Sequence, residues 1–190
     1  MAKQLRIAVL FTIVTTLLLG FIYPLSVTGL AQLLFPRQAN GSLIQRNGRV
    51  IGSELLGQNF IGPGYFHTRP SNAGAGYDAT QSSASNLGPT NHQLIDRVKA
   101  DTEKLRVENP GNPIPIDLVT SSGSGLDPDI SPAAAEFQIP RLARQRNLPE
   151  ADVRALVARH TQGRQLGFLG EPRVNVLGLN LDLDATHSLP

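Results

Sequence analysis

The sequence predicts an α+β protein, with a single N-terminal transmembrane helix followed by one exported α+β domain, and three observations lead there. The first is a stretch without charge from Ile7 to Phe35, whose densest part, Ile7 to Tyr23, reads IAVLFTIVTTLLLGFIY. Crossing about 30 Å of hydrocarbon takes roughly 20 helical residues, and this stretch exceeds that. The second is the change after Phe35 to short apolar runs separated by Gly, Pro, Asn and Ser, the mark of a domain with many ordered loops. The third is a mixture of periods in that remainder, helical in some runs and alternating in others. The expected division is 1–35 as membrane anchor and 36–190 as an extracytoplasmic (periplasmic) domain.

In the anchor, Lys3 and Arg6 are the only charges before Arg37, which gives a short basic head and favours a cytoplasmic N-terminus. A cleaved signal peptide, cut near Gly29-Leu30-Ala31, is the competing reading, and the length of the apolar run argues for retention. Ala8, Thr12, Thr16 and Gly20 recur every four residues and place small side chains on one face, where a second membrane helix packs closely. The span carries no charge, so it lines no ion pathway of its own.

Beyond the anchor, Ser42 to Leu56 reads as a β-hairpin turning at Asn47-Gly48, two residues that tolerate positive φ. Asn59 to Gly88 is irregular, and a loop of that length in a compact domain is functional or held by a partner. Thr90 and Gln93 form a capping box ahead of a helix with Leu94, Ile95, Val98, Thr102 and Leu105 on one face, ended by Asn109-Pro110-Gly111. Ser131-Pro132 starts another helix, which Pro140 kinks or splits. Pro149 opens a third, with Val153, Leu156, Val157 and His160 facing inward. Leu177, Leu179, Leu181 and Leu183 alternate with small or polar residues and favour a strand, against a weaker helical pattern of Val174, Leu177 and Leu181.

Composition excludes several function classes. Of the 17 Lys and Arg, Lys3 and Arg6 lie in the first segment, so the remainder balances its 15 acidic residues and has little field to steer nucleic acid. With no cysteine there is no disulfide, no Cys-ligated zinc and no thiol nucleophile. The lysines (Lys3, Lys99, Lys104) stand in no P-loop. Around Ser124 a nucleophile elbow would need glycine where Ser122 stands. Asp127, Asp129 and Ser131 match the first offsets of a calcium loop, but Pro132 and Gln138 occupy the turn-glycine and bidentate positions. His67, His92, His160 and His187 have no ligand spacing. The seven arginines from Arg141 to Arg173 read first as a solvated helix face and second as a docking patch. No catalytic or metal residue is expected.

At its loops the chain resembles the KdpC family, the C subunit of bacterial Kdp potassium-transporting ATPases. The resemblance rests on Tyr23-Pro24, GQNFIGPGYFHTRPS (Gly57 to Ser71), SNLGPTN (Ser85 to Asn91), DLVTSSGSGLDPDISPAAA (Asp117 to Ala135) and GFLGEPRVNVLGLNLDLD (Gly167 to Asp184). It implies ATP-driven potassium uptake in complex with two partners, a channel-like potassium-translocating subunit and a P-type ATPase subunit. It also implies location in the bacterial cell (inner) membrane and a catalytic-chaperone role that raises the ATP affinity of the ATPase subunit. ATP is implied by the resemblance alone, and an extracytoplasmic domain would stand across the membrane from cytoplasmic nucleotide. Ser83-Ala84, where many relatives carry two glycines, departs from the family pattern.

Within this frame the ordered loops have two readings. In the first, Tyr65, Phe66, Arg69, Asn86, Ser124 and Asp127 dock on a partner subunit, with the aromatic and arginine side chains as anchors. In the second, the loops brace the domain's own fold. A different class, a free-standing anchored enzyme or cell-wall binding domain, is disfavoured by the failed site templates.

Overall fold

The computed structural model describes residues 1–186, so His187 lies outside the described residues. The chain divides into two compact units, Met1–Ile51 and the part from Gly52 onward.

The first unit is dominated by one apolar helix, Ala2–Leu34, with no buried side chain in it. It consists of α1 (Ala2–Thr15), a π-helical turn (Thr16–Ile22) and α2 (Tyr23–Leu34). The π turn has a local cause. Pro24 lacks an N–H and its ring would collide with the carbonyl four residues back, that of Gly20, and a wider turn relieves the collision. Thr12 and Thr15 donate their hydroxyls to the carbonyls of Ala8 and Phe11, at 2.9 and 2.8 Å, so these polar groups are satisfied within the helix. A short α3 (Pro36–Ala39) follows. At the junction of the units β1 (Leu43–Arg46) and β2 (Arg49–Ser53) pair as the expected hairpin, with positive φ at Asn47 (52°) and Gly48 (73°).

The second unit begins with a long irregular segment and then α4 (His92–Glu108). The cap of α4 is Asn91 rather than Thr90: its side chain accepts from the Gln93 N–H at 2.8 Å. Asn109 ends the helix as expected. Leu105 packs against the core, while Ile95, assigned to the same face, remains exposed.

Helix α5 (Pro132–Arg146) starts at Ser131, whose hydroxyl accepts from Ala134 N–H and donates to Asp117, so a carboxylate joins the cap. Pro140 does not split it. The missing hydrogen bond is outweighed by burial on both sides of the proline, where Ile139 and Leu142 are fully enclosed.

Helix α6 (Glu150–His160) buries Val153, Leu156 and Val157 as read from the sequence. Three very short strands form an antiparallel sheet in the order β3 (Asp129–Ile130), β5 (Arg173–Asn175), β4 (Thr161–Gln162). Ile130 and Thr161 both pair with Val174.

The leucine run is a correction. It forms helix α7 (Val176–Thr186), not a strand. Val176, Leu179, Asn180 and Leu183 form a buried stripe at helical spacing, with Leu177 buried beside it, and Asn175 caps the first turn by accepting from Gly178 N–H at 3.0 Å. The core gathers Phe66, Ile130, Ile139, Leu142, Val153, Leu156, Val174, Leu179 and Leu183 from these elements.

Candidate functional site

Two irregular segments expected to carry function are fixed largely by side chains. The first runs from Gly62 to Thr68. Its backbone has no sheet partner, so each buried N–H and C=O needs another source of hydrogen bonds. Asn180 of α7 supplies both for Phe66, accepting its N–H and donating to its carbonyl, each at 2.9 Å. Gln138 of α5 does the same for His67, at 2.8 and 3.1 Å. These two primary amides stand in for a β-ladder.

Arginines complete the set. Arg141 donates to the carbonyls of Pro63 and Tyr65 and pairs with Glu108 at 2.8 Å. The buried Arg146 donates to the Gly64 carbonyl at 2.6 Å and to Asp184 at 2.7 Å. Its guanidinium lies 4.9 Å from the centroid of the Tyr65 ring, and the Tyr65 hydroxyl donates to the same Asp184 carboxylate at 3.1 Å.

The second segment links residues 69–83 to 120–131. Arg69 pairs with Asp127 at 3.1 Å and donates to the carbonyls of Thr120 and Ser121. The Ser71 hydroxyl donates to the Gly125 carbonyl at 2.6 Å and accepts from the Ala73 and Tyr77 N–H groups. Ser83 N–H reaches the Ser124 carbonyl at 2.9 Å. Gly125 has a physical requirement here: φ is +67°, and a Cβ would come within 2.6 Å of the Ser83 carbonyl oxygen.

The expected site residues therefore fall into distinct places. Arg69 and Asp127 are brought together as an ion pair. Tyr65 is partly exposed, with its hydroxyl and ring face engaged internally. Phe66 offers no surface, since its side chain is fully enclosed in the core; it serves packing instead of presenting an anchor. Asn86, in left-handed conformation at φ 52°, and Ser124 are exposed. Ala8, Thr12, Thr16 and Gly20 lie exposed on the apolar helix. Sequence reasoning missed Gln138, Arg141, Arg146, Asn180 and Asp184. The available signal was polar residues among apolar positions, such as Asn180 within the leucine run.

Two clefts flank these knots. One, of about 530 Å³, is lined by His67, Thr68, Tyr77, Lys104, Glu108 and Gln138. Burial, and secondarily the Arg141 charge, holds the His67 imidazole below its ordinary pKa, and Nε2 lies 3.1 Å from the Gly62 carbonyl, the geometry of a neutral N–H donor. The other, of about 550 Å³, contains Arg69, Asp117, Asp127, Asp129 and Arg173. Burial pushes the Asp129 carboxyl up, against the opposing effects of Asn175 and Arg173. His160 meets Asp182 at 3.0 Å. Among the described residues no group of His, Cys, Asp and Glu is placed to hold a metal ion.

This arrangement defines a class: a protein with one membrane-spanning candidate helix and an α+β unit whose polar groups are used to fix its own loops. The comparisons name the family. The profile described as "KdpC: K+-transporting ATPase, c chain" matches residues 5–185. The chain is 60% identical over 190 residues to the potassium-transporting ATPase KdpC subunit of Koribacter versatilis, covering all of this chain and 98% of that protein. It is 61% identical over 186 residues to the KdpC subunit of Acidobacterium capsulatum, covering 97% and 100%. To that of Caulobacter vibrioides it is 59% identical over 188 residues, covering 98% and 95%. The chain belongs to the KdpC family.

Proposed function

We propose that this chain is a non-catalytic accessory subunit of an ATP-driven potassium uptake pump in the bacterial cell membrane. It crosses the membrane once through Ala2–Leu34 with the N-terminus in the cytoplasm, carries its folded unit outside, and stabilises a complex of a channel-like potassium-translocating subunit with a P-type ATPase subunit. The observation that carries this reading is the match to KdpC subunits along essentially the full length of both partners in each alignment. The charge-free stretch of that helix, from Ile7 onward, supports the anchor.

The stripe of Ala8, Thr12, Thr16 and Gly20 faces a partner helix in this reading. A Cβ on Gly20 would meet only Thr16 Cγ2, at 3.8 Å, which is ordinary contact, so the chain's own helix does not require glycine there. A closely packed partner does. Asn86, Ser124 and the exposed edges of Tyr65, Arg69 and Asp127 are the loop contribution to docking. The finer role, raising the ATP affinity of the ATPase subunit, rests on the family resemblance, and with the folded unit outside it acts through the assembled complex and not by direct nucleotide contact.

Purification through a tag on this chain tests the reading. Two larger membrane subunits are expected to co-elute in mild detergent, and Gly20→Leu to reduce their recovery. Complexes lacking the chain are expected to show a raised KM for ATP. A chain that elutes alone from cells producing the whole system would refute the proposal.

A further inference from the structure

The hairpin between α6 and β5 has an unusual tip. Its arms are fixed: Gln165 and Leu169 exchange both backbone hydrogen bonds at 2.9 Å, and Arg164 pairs with Glu171 at 2.6 Å. Yet its side chains face solvent, with Leu166 83% exposed, Phe168 68% and Leu169 47%. The turn takes positive φ at Leu166 (53°) and Gly167 (83°), a pair of values at which asparagine-glycine is the favoured choice. Left-handed backbone is unfavourable for a leucine, and the result is a large apolar side chain held away from the protein's own core. The other strongly exposed apolar side chains of the folded unit, such as Ile61, Val107 and Ile116, do not form such a cluster in sequence.

Resting on the reading above, we infer that this tip is an interaction surface whose partner is another subunit of the same ATPase, through an uncharged apolar recess on its extracytoplasmic face. Charge and area select that occupant. Arg164 and Glu171 neutralise each other, so the tip has no field for anionic lipid headgroups, and from Arg164 to Glu171 there is no Trp or Tyr to sit at a membrane interface. Three side chains fall far short of the roughly 800 Å² per partner of a stable free-standing interface, which disfavours a second copy of this chain. Within an assembly already joined in the membrane, the effective concentration is high and a small contact suffices.

The absence of cysteine gives a direct test, since Phe168→Cys supplies the chain's sole thiol. Its reaction with a water-soluble maleimide is measured as a mass increase of this chain, in the complex purified in detergent and in the full-length chain alone in the same detergent. Leu166→Cys provides a second position on the tip. Labelling is expected to slow roughly tenfold or more in the complex at both positions, the equivalent of about 1.4 kcal/mol of protection. Equal rates in complex and isolated chain overturn the proposal. So does protection that requires added phosphatidylglycerol vesicles, which identifies a lipid surface, or protection in the isolated chain that grows with its concentration, which identifies self-association. Failure of the tagged chain to bring down other subunits overturns the accessory-subunit reading and this proposal with it, whereas equal labelling in a recovered complex overturns this proposal alone.

Discussion

The segment Gly62–Thr68 and the hairpin tip Leu166–Leu169 are opposites in structure. The first has no regular secondary structure, yet both backbone groups of Phe66 and His67 are paired with buried side-chain amides. The second is a regular hairpin whose apolar side chains have no cover within the folded unit. Irregular backbone is therefore a poor guide to which surface is free. The loop rich in turn formers is tied inward, and the hairpin with ordinary backbone bonds presents the outward apolar surface.

Mutations sharpen this contrast, read as thermal unfolding of the full chain in detergent. The largest effect belongs to Arg146→Met. The arginine side chain is fully enclosed, and its loss leaves the Gly64 carbonyl and the Asp184 carboxylate without that partner, at a cost of about 3–5 kcal/mol. A drop in stability below about 1 kcal/mol would mean that the segment is not braced as described.

Asn180→Leu keeps the side-chain volume and removes two buried hydrogen bonds to Phe66, so a loss of about 2–4 kcal/mol is expected, together with faster hydrogen exchange at the Phe66 amide. An unchanged exchange rate there would break the ladder-replacement argument.

Leu166→Gly goes the other way. It relieves left-handed strain and removes no buried contact, and glycine's larger unfolded-state entropy offsets part of the gain, so stability changes by less than about 1 kcal/mol while subunit recovery falls. A large destabilisation would place Leu166 in the fold and not on an interface.

The smallest effect is a pH slope. The His67 pKa is lowered in the folded state, so the unfolded chain binds more protons as pH falls through about 6.5, and stability declines with acidification toward the lower folded value. His67→Gln retains a donor toward the Gly62 carbonyl and is expected to flatten that decline between pH 7.5 and about pH 5.5, measured as the difference in melting temperature between variant and parent.

Legibility in the sequence followed the range of the physics involved. The apolar span, the Asn47-Gly48 hairpin, the Ser131 cap and the inner face of α6 are local, and each could be read from a few neighbouring residues. Leucine alternation misled at α7 because Leu177, Leu179, Leu181 and Leu183 fit two periods at once. Asn175, which caps the helix, and Asn180, which joins its buried stripe, were the deciding residues. Pro140 misled because propensity was outweighed by burial that only the tertiary fold reveals. The three-stranded sheet has strands of two or three residues, too short for any period. The amides and arginines that brace the backbone of Gly62–Thr68 reach it from 71 to 114 positions away, a separation at which composition and spacing carry no signal.

The proposed function is tested most directly by ATP hydrolysis of the purified pump prepared with and without this chain. The chain alone is expected to hydrolyse no ATP, the preparation lacking it to lose most potassium-stimulated hydrolysis at ATP concentrations below its raised KM, and restored chain to recover it. Hydrolysis by the isolated chain, or full potassium-stimulated activity in its absence, would contradict the accessory-subunit account.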